Sequence, residues 1–172
     1  MSSEINYREA TADDAAGVAT VHVLSWHKSF KGIVPDSFLQ KLTIENRTKA
    51  FSERFTDSFY KMYVAETSDG RVVGFADVGD PRHDIGPYDA ELYAIYILHE
   101  LQGKGIGARL FARVKEFLIA QHKNSMYLMA LEVSPYRSFY EKMGGRVVGK
   151  KQIRLEGIDF GAVIYGWEGL GG

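Results

Sequence analysis

The spacing of hydrophobic and polar positions changes several times along this chain, and each change marks an element. Ile5 to Glu9 alternates briefly, as a short strand does. Ala15, Val18, His22 and Trp26 then share one helical face. This predicts a helix over 12–30, capped by Thr11 with Asp13 and Asp14 in its first turn. Residues 36–55 read as a broken helix carrying Phe38, Leu39, Leu42, Ile44, Phe51 and Phe55. Alternation returns over 61–67 and again over 71–78, across the turn Ser68-Asp69-Gly70, as in an antiparallel hairpin. Asp80-Pro81 and Gly86-Pro87 punctuate a loop, and 91–98 is almost continuously apolar, as a strand covered on both faces should be. The clearest amphipathic helix covers 103–122, with Ile106, Leu110, Val114, Phe117 and Leu118 on one stripe. A buried strand over 126–133 follows. Ser134 then caps a helix over 135–143 that Gly144-Gly145 closes. Strands over 146–155 and 160–167, joined by a turn at 156–159, complete the chain.

The predicted order is β-α-α-β-β-β-α-β-α-β-β, an α+β or mixed α/β sheet with strand–helix–strand crossovers in its middle. At 172 residues, with no repeat, low-complexity tract or linker, the chain is expected to form a single domain over 1–172. The 21 Lys+Arg and 22 Asp+Glu nearly cancel, which argues against nucleic-acid binding by bulk charge. Cysteine is absent, so disulfides, thiolate metal sites and cysteine nucleophiles are excluded. The five histidines show no metal-ligand spacing with carboxylates, and no metal is expected. His22, on its helical face, reads as a partly buried residue with its hydrogen bonds satisfied. There is no run of about 18 apolar residues and no signal-peptide pattern, so we expect a cytoplasmic protein that does not enter membranes.

The chemical signal lies between the apolar strand and the best helix, at Gln102-Gly103-Lys104-Gly105-Ile106-Gly107-Ala108. A helix N-terminus offers unpaired N–H groups and a positive dipole end, and glycines let backbone approach a phosphate closely. Lys104 and Arg109 add positive charge there. The spacing is G-x-G-x-G rather than G-x-G-x-x-G, the loop follows a late strand, and no acid stands near Tyr127. A dinucleotide-binding oxidoreductase is therefore disfavoured, and the Walker pattern is absent.

The segment from Ile97 to Gly107 resembles the acetyl-CoA signature of the GCN5-related N-acetyltransferases, an aliphatic strand end followed by R/Q-x-x-G-x-G/A. The segment from Ser134 to Gly145, with Phe139-Tyr140-Glu141 in it, is similar to that family's Asn-Pro…Phe-Tyr-Glu-x-x-Gly stretch. The resemblance implies a mostly antiparallel sheet flanked by helices and split in a V. Pantetheine would bond to the backbone of Ile95, Tyr96 and Ile97, and the pyrophosphate would sit on the N–H groups from 103 to 108. Three positions depart from the pattern: His99 replaces a usual proline, Ser134 an asparagine with longer reach toward the cofactor, and Gly145 a frequent phenylalanine.

Acetyl transfer to an amine needs a base for the ammonium and an acid for the leaving thiolate, and neither a metal nor a covalent nucleophile. The resemblance gives the acid to Tyr140. It gives the base to Glu91, at the start of the apolar strand. Glu132 is the second candidate, placed among buried-strand residues where burial would raise its pKa. Trp26, His27, Phe30, Tyr93 and Tyr96 could line the acceptor side, as aromatic walls for an apolar or cationic amine. The expected acceptor is a small-molecule amine such as a polyamine, amino acid or antibiotic. A protein N-terminus or lysine, and a non-catalytic acyl-CoA sensor, are the alternatives. A homodimer through the C-terminal hairpin is a further expectation.

Overall fold

The protein is described here from a computed structural model covering residues 4–172. Seven strands form one sheet: β1 (Ile5–Glu9), β2 (Tyr60–Thr67), β3 (Val72–Gly79), β4 (Ala90–Ile97), β5 (Met126–Leu131), β6 (Arg146–Leu155) and β7 (Ile158–Trp167). Five α-helices accompany them: α1 (Ala15–Phe30), α2 (Asp36–Lys41), α3 (Ile44–Arg54), α4 (Ile106–Ala120) and α5 (Arg137–Lys142). The spatial order is β1-β2-β3-β4-β5-β7-β6. All neighbours are antiparallel except β4 and β5.

The β4–β5 junction positions the site. These two parallel strands pair only at Ala90 with Met126 and Glu91 with Tyr127, then part. β5 keeps six successive pairs with β7, so the sheet divides into two halves hinged at Glu91 and Tyr127. β4 also carries an extra residue: Val78 faces Leu92 and Asp77 faces Ala94, leaving Tyr93 as a bulge. Directly paired residues share a face, so the bulge puts Tyr93 and Ala94 on the same side of the sheet.

The two faces are covered differently. Phe75 of β3 meets the rings of His22 on α1, Phe51 on α3 and Tyr96 on β4. On the opposite face, Leu110 of α4 lies against Gly74, and Val114 and Leu118 are fully buried with it. Each such aliphatic burial stabilises by about 1.5–3 kcal/mol, enough to hold α4 firmly over the sheet. A second, smaller core of Phe30, Val34, Leu39 and Leu131 closes the other end.

Several element boundaries differ from the sequence expectation for local reasons. Residues 12–14 form a 3₁₀ turn before α1, with Thr11 N–H donating to Asp14 Oδ2 at 2.9 Å. The broken helix is two helices, because Thr43 starts α3 by accepting from the Asn46 N–H. Gly103 and Gly105 have φ of +77° and +82°, so α4 begins only at Ile106. The last turn is tighter than expected. Glu156 and Gly157 both have positive φ and form a two-residue hairpin loop, and Ile158 and Asp159 belong to β7.

Candidate active site

Two turns shape the loop before α4. A 3₁₀ turn at His99–Leu101 ends β4, and the Gln102 side-chain amide donates back to the Ile97 carbonyl at 3.2 Å. The chain then passes through the two left-handed glycines. Neither position has an atom within 4 Å of where a Cβ would stand, so open space lies above the backbone there. The N–H groups of residues 103–108 meet no acceptor among the described residues. Six free donors at the positive end of a four-turn helix form a seat for an anion.

A cleft of about 340 Å³ adjoins this seat. One wall is Ile95, Ile97, Gln102, Gly103, Gly105, Ile106, Gly107 and Ala108; the other is α5 and its approach, with Tyr136, Ser138, Phe139, Lys142 and Met143. Gly107 is tightly packed: a Cβ would lie 3.0 Å from the Phe139 ring, so the absence of a side chain lets the two walls approach closely. Phosphate seat and apolar walls fit the pyrophosphate and pantetheine of an acyl-CoA. Lys104 is exposed and off the cleft walls, and Arg109 lies over the Tyr7 ring at 5.7 Å, away from the loop. The cation that does line the cleft is Lys142, which sequence reasoning missed. Its only signal was its place one turn before Gly144-Gly145.

Tyr140 sits between the two halves of the sheet. Its ring is 5.6 Å from that of Tyr165 on β7, and its side chain is 5% exposed. The α5 backbone fixes it: Ser134 Oγ accepts from the Tyr136 N–H at 3.1 Å, and the Gly145 N–H donates to the Tyr140 carbonyl at 2.9 Å. Ser134 thus organises the turn into α5 and stands outside the cleft walls. The Tyr140 hydroxyl makes no hydrogen bond among the described residues. Burial, reinforced by the phenols of Tyr96, Tyr136 and Tyr165, pushes it well above the ordinary tyrosine range. A phenol in that environment keeps its proton at neutral pH and has no protein partner for it.

The two carboxylates have opposite surroundings. Glu91 is 1% exposed. Its Oε1 accepts from the Arg82 backbone N–H at 2.9 Å and the Tyr127 hydroxyl at 2.9 Å. Its Oε2 accepts from Arg82 Nη2 at 2.7 Å, and Arg82 Nε also reaches Oε1 at 3.2 Å. A carboxylate held by a bidentate guanidinium, an amide and a phenol is an anchor for the hinge of the V, with few lone pairs left to take a proton. Glu132 is a correction: its side chain is 49% exposed beyond the end of β5 and pairs with Lys150 at 3.6 Å, so the burial argued for it is absent.

Of the residues expected on the acceptor side, Trp26, Phe30 and Tyr96 adjoin, with the Trp26 and Phe30 rings 4.4 Å apart, whereas Tyr93 and His27 lie elsewhere. Trp26 and Tyr96 are joined by Trp26 Nε1 donating to the Tyr96 hydroxyl at 2.9 Å. Tyr93 donates to the Asp80 carbonyl at 2.6 Å beneath the Arg82 guanidinium. Phe30 is buried in the second core, and His27 is exposed, with Nε2 at 3.2 Å from the Leu42 carbonyl. His22 corrects the expectation of a satisfied side chain, since its Nδ1 is buried without a partner. Arg47 and Arg54 bring positive charge near it, and Arg54 in turn holds Asp77; the sequence pattern had singled out none of the three. Among the described residues there is no cluster of three or more His, Asp or Glu that could hold a metal, and no helix is long and apolar enough to cross a membrane.

A sequence profile of the acetyltransferase (GNAT) domain matches residues 28–162. The chain belongs to the GNAT acetyltransferases. It is 34% identical over 167 residues to the uncharacterized N-acetyltransferase YuaI of Bacillus subtilis (strain 168), covering 96% of this chain and 94% of that one. Solved GNAT structures share the fold. PaiA N-acetyltransferase from Thermoplasma acidophilum, in complex with coenzyme A, superposes with a TM-score of 0.72 at 19% identity, over 96% of this chain and 99% of that one. YncA from Salmonella typhimurium, with its cofactor acetyl-CoA, gives 0.71 at 21% identity, over 96% and 94%. As a GNAT acetyltransferase, this chain is an acyltransferase with the family's split, mostly antiparallel sheet.

Proposed function

We propose that the protein moves an acetyl group from acetyl-CoA directly to the amine of a small molecule. The observation that carries this reading is a cleft whose backbone donors suit a pyrophosphate, with the unpartnered Tyr140 hydroxyl off the cleft walls but on the same helix as the lining residues Phe139 and Lys142. Acetyl-CoA supplies the activated acyl group. The N–H groups of 103–108 hold its phosphates, Ile95 and Ile97 offer strand backbone and an apolar wall, and Lys142 adds charge to the opposite wall. Tyr140 gives its proton to the sulfur that leaves. Glu91 keeps the hinge of the V fixed through Arg82 and Tyr127. Among the described residues no carboxylate or histidine lines the cleft, so the amine enters in its neutral form and the proton it sheds on acetylation passes to buffer in bulk solvent.

A CoA-release assay tests the reading. Amino acids, polyamines and aminoglycosides form one arm; peptides with free N-termini or lysines form the other. Turnover confined to small amines supports it. Turnover of peptides alone overturns the small-molecule assignment, and acetyl-CoA binding without any turnover points to a sensor. We also propose a homodimer through the C-terminal hairpin. The support is that Val147 and Val148 on edge strand β6 are 50% and 47% exposed, which sedimentation of the wild type and a Val148→Glu variant checks.

A further inference from the structure

The face of β3 and β4 under α1 and α3 holds more charge than it pairs. Arg54 is bound to Asp77 at 2.9 Å, and Arg82 to Glu91 at 2.7 Å. Arg47 of α3 has no such partner: among the described residues no carboxylate lies within ion-pair distance of it and it donates no hydrogen bond. Its guanidinium rests over the Phe51 ring at 4.8 Å, and its Nε is buried without a hydrogen-bond partner. Three guanidiniums therefore face two carboxylates.

The unpaired atoms gather at one place. Arg47 Nε, His22 Nδ1 and Asp77 Oδ1 are all buried without a hydrogen-bond partner, although buried polar groups in folded proteins are almost always paired. Burial and the charges of Arg47 and Arg54 push His22 down to about 3. It is neutral near pH 7, so it adds hydrogen-bonding capacity and no charge. The floor includes Ala94, which the bulge at Tyr93 turns to this face and which is only half-buried. Tyr96 connects the place to the cleft: its ring is 5.2 Å from His22 on one side and 5.7 Å from the cleft residue Tyr136 on the other.

We infer that the acceptor amine also carries a carboxylate, and that Arg47 of α3, with His22 beside it, holds that carboxylate. The inference rests on the acetyl-transfer reading and narrows its substrate class from amines in general to amino acids and related amino carboxylates. One unpaired guanidinium matches the single negative charge of a carboxylate. A polyamine would bring more positive charge to a place that already has an excess of it. A phosphate monoester, with nearly two charges, would leave the place negative.

Calorimetry on the CoA-loaded protein tests this without requiring turnover. The probes are the common α-amino acids and, for each, the amine lacking the carboxylate, such as phenylalanine with 2-phenylethylamine and leucine with isoamylamine; 2-aminoethyl phosphate is included as a third class. The best amino acid should bind at least about tenfold more tightly than its decarboxylated partner. Arg47→Gln should abolish that difference, and Arg47→Lys should restore part of it. Equal affinities within each pair, no binding by any amino acid, an equal loss for both members in Arg47→Gln, or tighter binding of the phosphate would overturn the inference. Titration of CoA into the free protein is the separate control: failure there counts against the acetyl-transfer reading itself, whatever the acceptors do.

Discussion

Tyr140 and Glu91 are both nearly inaccessible, yet their polar atoms have opposite surroundings. The Tyr140 hydroxyl has no protein partner and is held protonated by burial; the Glu91 carboxylate is surrounded by donors. Tyr140→Phe should lower kcat roughly 100-fold or more, because a positioned general acid is lost. Its acetyl-CoA affinity should change little, since the phosphate seat is backbone. An unchanged kcat in the CoA-release assay would remove Tyr140 from the chemistry. Glu91→Gln should behave as a stability variant, losing about 1–3 kcal/mol in urea unfolding as the Arg82 pair and hinge are weakened. Half of the Arg82 side chain already meets solvent, which keeps the loss at the lower end for a broken buried pair. If Glu91→Gln instead unfolded like the wild type but lost the pH dependence of kcat, Glu91 would be the base after all.

At the scale of elements, the glycine loop separates conformational from steric demands. Gly105 has φ of +82° with open space around it, so Gly105→Ala should cost about 1 kcal/mol of backbone strain and weaken acetyl-CoA binding by tilting the N–H groups. Gly145 is fixed by contact instead. A Cβ there would stand 2.7 Å from the Trp167 ring and 2.9 Å from the Tyr140 carbonyl, so Gly145→Ala should destabilise more and move Tyr140, lowering kcat together with the unfolding midpoint. The same contrast explains what could be read from the chain alone. The loop and α4 were legible because a glycine pattern and a helical stripe are local and contiguous. The short helix carrying Tyr140 was legible through its segment, Ser134 to Gly145. The burial of Glu91 was not, because its partner Tyr127 is 36 residues away and Arg82 comes from an irregular loop. Arg47, His22 and Asp77 were equally hidden, since α3, α1 and β3 each present them within an ordinary amphipathic pattern and only packing brings them together. The break between α2 and α3 turned on one threonine, and the reach of β7 on a residue pair at positive φ.

For the whole molecule, the unpaired polar atoms under α1 predict how stability follows pH. His22 is neutral in the folded protein down to about pH 3, while in the unfolded chain it titrates near its ordinary 6.5. Between those values the unfolded chain binds a proton that the native state refuses, so stability falls as pH drops through that window. Each unit crossed costs up to about 1.4 kcal/mol. Asp77 acts in the opposite direction, because burial raises its carboxyl and the native state takes up that proton more readily than the unfolded chain. Asp14 and Glu66, lowered by Arg8, add to the loss only at more acid pH, where they titrate in the unfolded chain. Asp77 is common to the wild type and a His22 variant, so the difference between their slopes from pH 7 to 5 isolates His22. Urea unfolding of the wild type at pH 7, 6 and 5 should show a steady decline in stability, and His22→Asn should flatten it even if its stability at pH 7 is lower. Parallel slopes in the two proteins would mean that His22 takes up its proton in the folded state, and the face under α1 would then carry a further positive charge near neutral pH. That charge would strengthen carboxylate binding as pH falls toward 6, an effect absent while His22 stays neutral, so acceptor affinity measured over the same pH range separates the two cases.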